Sequence, residues 1–324
     1  MKVVLILGLM VVCIRGFGQT EVESNQALAE VTPVGINSLL YLVPEDSTKI
    51  EIGQRLSRNE QSVKYAGVKV LSAIVDTRNT YLQAVHGLAP NLEFGGSIDV
   101  LGTKSTEIKY GQASTKNGTS QTTKDSGASN PVFGLRYRLG ESQEKSYFLT
   151  GHYRPSVTKS KTGTTKSDGN IAEAQTAAIV SLEVVKKIKN SEVRGQVRKG
   201  QYFSGTSENA ETGDETTYGA YGTFNLVGEY RKHVNDQLYV GASLEFSTQD
   251  GMSFEYKSGK EEYDSIAMTS FKILGGYLID PNLLINASYE NLPGASSKIQ
   301  SGSNRLDFNI DQVQQFVLNV QYLF

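Results

Sequence analysis

The sequence is almost without cysteine. Its single thiol, Cys13, lies in the first apolar stretch of the chain. One thiol cannot form an intrachain disulfide or a cysteine-based metal site. Histidine is scarce as well, since His86, His152 and His233 are the only imidazoles and no two have metal-ligand spacing. We therefore expect no metal ion and no other cofactor.

An excess of charge of one sign is also absent. The chain carries 32 lysine and arginine residues against 34 aspartate and glutamate residues, and the basic residues are dispersed. A nucleic-acid-binding protein needs a basic patch or stripe, so nucleic acid is not an expected partner. Catalysis is not expected either, because the nearest His and Ser pair, His152 and Ser156, lacks the asparagine and glycine context of outer-membrane phospholipases.

Only one long hydrophobic run is present, at the start of the chain. Lys2 precedes an apolar run from Val3 to Ile14, and the small residues Gly16 and Gly18 follow. This pattern is typical of a signal peptide, residues 1–18, with cleavage expected after Gly18. The rest of the chain has no apolar stretch of the roughly 20 residues that a membrane-spanning helix needs. A secreted soluble protein or a transmembrane β-barrel remains.

Residues of alternating polarity distinguish these two classes. In the last segment, Phe316, Leu318, Val320, Tyr322 and Phe324 fall on one face of a strand, and Asn319 and Gln321 fall on the other. A barrel strand places apolar side chains toward lipid and polar ones toward the lumen. We predict about twelve such strands, within a range of 10 to 14, near residues 48–58, 66–87, 91–104, 130–140, 145–158, 172–188, 192–204, 216–233, 237–250, 262–279, 282–292 and 312–324.

The connections support an all-β, antiparallel, up-and-down transmembrane barrel over residues 48–324. Short links, which barrels place on the periplasmic side, occur at residues 88–91, 140–144, 189–192, 234–237 and 279–282. Longer polar segments alternate with them, at residues 59–65, 104–129, 159–170, 205–215, 250–261 and 293–311, and are expected to form outer loops. This alternation requires an even number of strands and puts both termini in the periplasm.

Residues 19–47 do not alternate in this way. Glu21 to Glu30 is polar, and Ile36 to Val43 is a compact apolar run that Pro44 ends. We expect a periplasmic N-terminal segment with one of two roles. It either caps or plugs the lumen, or it is a tether that lies under the barrel.

Charged residues on the polar phase of the strands are the candidate functional residues. They are expected to line the lumen, and they are Glu93, Asp99, Arg136, Arg138, Arg154, Glu183, Arg194, Arg198, Glu229, Glu245, Lys272 and Glu290. Burying an unpaired charge raises the free energy of the folded protein by roughly several kcal/mol. These groups must therefore be hydrated or paired. They either line a water-filled channel, where charge tunes selectivity, or form salt bridges across a narrow interior.

Three segments resemble a known family. They are Leu82–Gly95 (LQAVHGLAPNLEFG), Asn130–Leu139 (NPVFGLRYRL) and Leu278–Leu283 (LIDPNL). They resemble the outer-membrane transporter-like barrels named for the meta-pathway of phenol degradation. At Arg154-Pro155-Ser156-Val157 the chain departs from the motif of that family. The resemblance implies a passive route for small hydrophobic or aromatic compounds and no catalytic residue.

The sequence thus predicts an outer-membrane barrel of a Gram-negative-type bacterium that acts as a passive pore or transporter. Its expected partners are outer-membrane lipid, the barrel assembly machinery and a small-molecule solute. Two alternatives stay open: a closed barrel that acts as a surface scaffold or adhesin through its Ser/Thr-rich loops, and a secreted soluble β-sandwich.

Overall fold

A computed structural model of the protein describes residues 36–142 and 144–324. The predicted signal peptide lies outside the described residues, as does most of the segment that precedes the barrel. Within the described residues, no helix is long and apolar enough to cross a membrane. The strands are β1 (Thr48–Tyr65), β2 (Val68–Ala89), β3 (Leu92–Tyr110), β4 (Ser120–Gly127), β5 (Val132–Glu141), β6 (Lys145–Arg154), β7 (Ser160–Thr162), β8 (Ala177–Ile188), β9 (Ser191–Tyr202), β10 (Gly205–Asn209), β11 (Glu215–Tyr218), β12 (Tyr221–His233), β13 (Leu238–Gln249), β14 (Met252–Tyr256), β15 (Gly259–Tyr263), β16 (Ile266–Asp280), β17 (Leu283–Leu292), β18 (Ala295–Ser301) and β19 (Asn304–Leu323).

These segments form a closed antiparallel barrel of twelve strands, which confirms the predicted fold. Several barrel strands consist of two segments in line, such as β17 and β18. The barrel closes where β1 pairs with β19, with Lys49 opposite Leu323. Phe324 donates its amide to the carbonyl of Thr48 at 2.8 Å, so both ends of the barrel sequence meet. We call this end the terminal end and the opposite one the loop end.

The wall alternates between an apolar exterior and a polar interior. In β5, successive side chains are alternately half-buried and exposed. The outward positions carry large apolar side chains that remain exposed, among them Ile52, Leu82, Phe94, Leu135, Leu149, Leu182, Val240, Leu244, Phe271, Ile273, Leu318 and Val320. Such a continuous exposed apolar belt is the surface that a membrane barrel presents to lipid.

The turns at the terminal end are short, as predicted. The hairpin between β8 and β9 turns through Lys189 and Asn190, and Lys189 has a φ of 53°. A left-handed residue of this kind matches the turn to the right-handed twist of the two strands. The turn between β16 and β17 contains Pro281 and Asn282, and the side chain of Asp280 accepts the amide of Asn282 at 2.8 Å.

The prediction of irregular loops at the other end was wrong in several places. β1 continues through residues 59–65, and the predicted loop at 104–129 contains the end of β3 and all of β4. Most of the predicted loops at 205–215, 250–261 and 293–311 are also strand. The cause is compositional: threonine and other β-branched residues favour strands even where serine, glycine and lysine hide the alternation. The barrel wall therefore continues well beyond the apolar belt.

A seam of short irregular segments separates this extension from the rest of the wall. Register is preserved across it, since Leu292 pairs with Val313 and Ala295 pairs with Ile310 on the same two barrel strands. The inward-facing positions nevertheless change from even to odd numbers along this barrel strand. Leu284, before the seam, is 2% exposed, and Ile299, after it, is 3% exposed. Neighbouring strands thus carry matched bulges, one of which includes Gly294 with a φ of 137°. Positions that simple alternation would place outside therefore face inward.

Candidate functional site

Opposite charges face each other directly across the strands of the terminal half. Glu93 pairs in register with Arg136, and Glu229 pairs with Arg194. Directly opposed side chains on one face of a sheet lie close enough to interact. The sequence alternation therefore places acid against base inside the barrel.

These pairs join into a chain of alternating charge that we call the charge ladder, formed by Glu93, Arg136, Glu183, Arg194, Glu229 and Arg231. The guanidinium of Arg136 lies 2.6 Å from Glu183 and 3.9 Å from Glu93. Arg194 bridges Glu183, at 3.4 Å, and Glu229. Arg231 donates to Glu229 at 2.6 Å. Three carboxylates alternate with three guanidinium groups, so the ladder has no net charge.

The remaining predicted interior charges have partners outside the ladder. Lys272 lies 3.2 Å from Glu290, Arg138 lies 2.6 Å from Glu141, and Arg154 lies 3.1 Å from Glu173. Asp99, Glu245 and Arg198 each bond to an amide side chain, those of Asn79, Asn225 and Gln196. Pairing is therefore the rule for these groups.

Further interior charges were not among the predicted residues, among them Glu51, Arg55, Glu192 and Arg231. Glu51 and Arg55 lie on β1, where no interior residue was predicted. Arg231 follows Glu229 by two residues, and Glu192 precedes Arg194 by two. Applying the alternation to every residue of β1, β9 and β12 would have found them.

The segment Ile36–Pro44, which we call the inner segment, is bound by the interior charges through its main chain. Arg136 donates to the carbonyls of Tyr41 at 3.0 Å and Leu39 at 3.3 Å, and Arg138 donates to that of Leu40 at 3.0 Å. In the opposite sense, the amide of Leu39 donates to Glu192 at 2.9 Å. These charge-assisted bonds satisfy peptide groups that lie away from the barrel wall.

A second set of contacts anchors the two ends of the inner segment. The amide of Val43 donates to Glu93 at 2.9 Å, and Arg231 donates to the carbonyl of Asn37 at 3.3 Å. Ser38 also donates to Glu192, which lies 3.4 Å from His233. The ladder therefore contacts the segment along its length.

Apolar side chains of the inner segment pack between these polar contacts. Leu39, Leu40 and Leu42 form one buried cluster with Phe148 and Val185. The ring of Phe148 is fully buried beneath the guanidinium of Arg136, whose carbon lies 3.9 Å from the ring centroid. Such a cation–π contact is worth about 2 kcal/mol when desolvated.

A second segment, Ile171–Thr176, turns inward from the loop end. Asn130 is 1% exposed and donates to the carbonyl of Glu173 at 2.8 Å. Glu173 in turn pairs with Arg154, and Gln175 donates to the carbonyl of Gly219 at 2.9 Å. We call Ile171–Thr176 the outer segment.

Cavities lie on either side of these inward segments. One of about 360 Å³ lies next to the inner segment and is bordered by Lys49, Thr150 and His152. Another, of about 320 Å³, lies below the outer segment and is bordered by Tyr81 and Asp99. A well-packed protein core holds few voids larger than a water molecule. The interior is therefore an incompletely filled, polar space.

No protein-family model matches the sequence, and no curated protein matches it. Solved structures do match. An outer membrane channel from Pseudomonas putida F1 is 14% identical, with a TM-score of 0.55, and the match covers 87% of this chain and 97% of that chain. A FadL homologue of Pseudomonas aeruginosa is 11% identical, with a TM-score of 0.40 and coverage of 85% and 90%.

A variant of TodX, a monoaromatic hydrocarbon channel, is also 11% identical, with a TM-score of 0.43 and coverage of 86% and 91%. The resemblance to the family named for phenol degradation stays a prediction. The likeness to the channel from Pseudomonas putida shows that this chain shares the fold of an outer-membrane β-barrel.

Proposed function

We propose that the protein is an outer-membrane barrel that acts as a passive pore or transporter for small solutes, with both termini in the periplasm. The apolar belt supports the location, because an exterior of this kind is stable only against lipid. β2 has 22 residues, whereas roughly 9–11 span a bilayer. The surplus places a polar extension outside the membrane.

The observation that carries the proposal is the polar space between the two inward segments. A barrel that served only as a scaffold would gain stability by filling this space. Instead, cavities bordered by charged and amide groups are present in both halves of the barrel. In this proposal the inner segment restricts passage at the periplasmic end and the outer segment restricts it at the other.

The preferred solute is proposed to combine an aromatic or apolar part with a polar group. The family resemblance implies hydrophobic or aromatic compounds. The cavity beside the outer segment is bordered by the ring of Tyr221 together with Asp125, Arg154 and Lys161. Such a lining offers a stacking surface and several hydrogen-bonding groups.

Conductance in planar bilayers tests the proposal. The refolded chain is compared with a variant in which residues 36–43 are replaced by a glycine and serine sequence of equal length. We expect brief, small conductance steps from the natural chain and steps at least severalfold larger from the variant. If neither protein conducts, although both show heat-modifiable migration on a gel, the pore is refuted and a closed scaffold is favoured.

A further inference from the structure

A band of aromatic rings follows the extension of the wall at the loop end. Phe254 contacts Tyr218 and Tyr263 edge to face, with ring centroids 5.1 and 5.0 Å apart. It also stacks beside Tyr256 at 6.5 Å. Tyr263 continues the band to Phe308, at 5.6 Å. The rings come from four barrel strands.

The band faces the interior. Tyr218 borders the same cavity as Asp99 and Arg154, which lie inside the barrel. Residues paired directly across neighbouring strands present their side chains on the same face. Because Tyr218 pairs with Phe254, and Phe254 pairs with Glu261, these side chains share the interior face. The matched bulges of the seam produce this orientation.

Glu261 places a carboxylate among these rings. Burial together with the charge of Glu261 raises the pKa of the Tyr263 phenol to about 12 and raises that of Tyr256 as well. Across residues 36–142 and 144–324, no lysine, arginine or histidine nitrogen lies within 4.0 Å of the Glu261 carboxylate. The next residue, Glu262, lies on the opposite face and pairs with Lys260 at 2.5 Å.

We propose that Phe254, Tyr256, Tyr263 and Glu261 form a binding site for organic ammonium cations at the mouth of the barrel. Ring faces attract alkylated ammonium groups, and a nearby carboxylate adds an ion pair. Tyr256 is 37% exposed, so a ligand can reach the rings from solvent. An inward carboxylate without a basic partner is the complement that such a cation needs.

Choline is a suitable probe, and 3,3-dimethyl-1-butanol is its uncharged isostere. Binding to the refolded full barrel in detergent micelles is followed by calorimetry at low ionic strength. We expect choline to bind about tenfold more tightly than the neutral isostere, because only choline gains the cation–π contact and the ion pair. Equal affinities would overturn the proposal.

Two variants and one control variant locate the site. Glu261→Gln should weaken choline binding about tenfold, whereas Glu262→Gln, on the opposite face, should leave it unchanged. Phe254→Leu should weaken binding roughly fivefold while the heat-modifiable migration of the folded barrel is retained. Equal effects of the two glutamate variants would overturn the proposal. Binding to this site does not require conduction, so it can succeed or fail independently of the pore.

Discussion

Interior carboxylates at the two ends of the barrel have different partners. At the terminal end, Glu183 is 4% exposed in its side chain and lies between two arginines, and the same ladder binds the main chain of the inner segment. At the loop end, Glu261 faces aromatic rings and has no basic nitrogen of the described residues within 4.0 Å. Both carboxylates lie on the interior face of the wall.

The difference separates structural charge from charge available to a ligand. In the ladder every carboxylate already has a guanidinium partner, so its loss would leave an uncompensated charge inside the barrel. The loop-end carboxylate lies among the rings of Phe254, Tyr256 and Tyr263 and remains able to bind a cation. Strand position alone does not distinguish the two, because what matters is the group that lies opposite.

The largest loss of stability is expected from a substitution at the centre of the charge ladder. Glu183→Ala leaves Arg136 and Arg194 without their shared partner, and we expect the free energy of unfolding to fall by about 3–5 kcal/mol. Urea unfolding of the barrel in lipid vesicles measures this loss. Glu183→Gln is the matched control and should cost less, because its amide oxygen still accepts a hydrogen bond. A loss below about 1 kcal/mol would show that the ladder is not structural.

A smaller loss of stability is expected from a substitution of Asn130, which contacts the outer segment through an uncharged hydrogen bond. Besides its bond to Glu173, Asn130 accepts the amides of Val157 and Thr158, at 3.2 and 3.0 Å. Asn130→Ala should lower the free energy of unfolding by about 1–3 kcal/mol and speed proteolysis of residues 155–176. Asn117→Ala, in an exposed turn, is the control. Unchanged proteolysis would contradict the assigned contacts.

The inner segment gives a prediction that depends on pH. Burial, together with Glu93, raises the pKa of Tyr41 from 10.0 to about 12. Because the pKa is raised in the folded state, the stabilisation that neutral Tyr41 gives to the bound inner segment is complete below pH 10. It is lost as the pH rises toward 12. Conductance should therefore increase over this window, and Tyr41→Phe, which behaves normally at neutral pH, should show a smaller increase. An identical increase in both proteins would refute this role of Tyr41.

The smallest effect is expected from an exposed pair on the outside of the extension. Arg305 lies 2.9 Å from Asp264, with side chains 61% and 58% exposed. Solvent screens such a pair, so Arg305→Ala should change the free energy of unfolding by less than about 1 kcal/mol. The same urea experiment measures it. A loss as large as that of Glu183→Ala would remove the distinction between interior and surface charge.

Much of the barrel could be predicted from local patterns. Alternation in residues 316–324 and the short polar turns predicted the strands of the apolar belt and the even strand number. The same alternation predicted that Glu93, Arg136 and Glu229 face the interior. These features repeat every two residues, so they are visible in a single strand.

The contacts between distant segments could not be predicted in this way. Nothing in the local sequence of Ile36–Val43 indicates that its peptide groups bond to Arg136 and Glu192, since those bonds depend on how the barrel closes. The aromatic band was hidden by the bulges, which reverse the phase at residues 250–251 and 264–265. A single sequence does not show that bulges on adjacent strands match.

Amide hydrogen exchange at Leu39 and Val43 tests the central claim most directly, because these amides donate to Glu192 and Glu93 inside the barrel. We predict slow exchange of both amides in the natural chain. In Glu192→Ala, exchange at Leu39 should become fast while Val43 stays protected. Fast exchange of both amides in the folded natural chain would contradict the binding of the inner segment within the barrel.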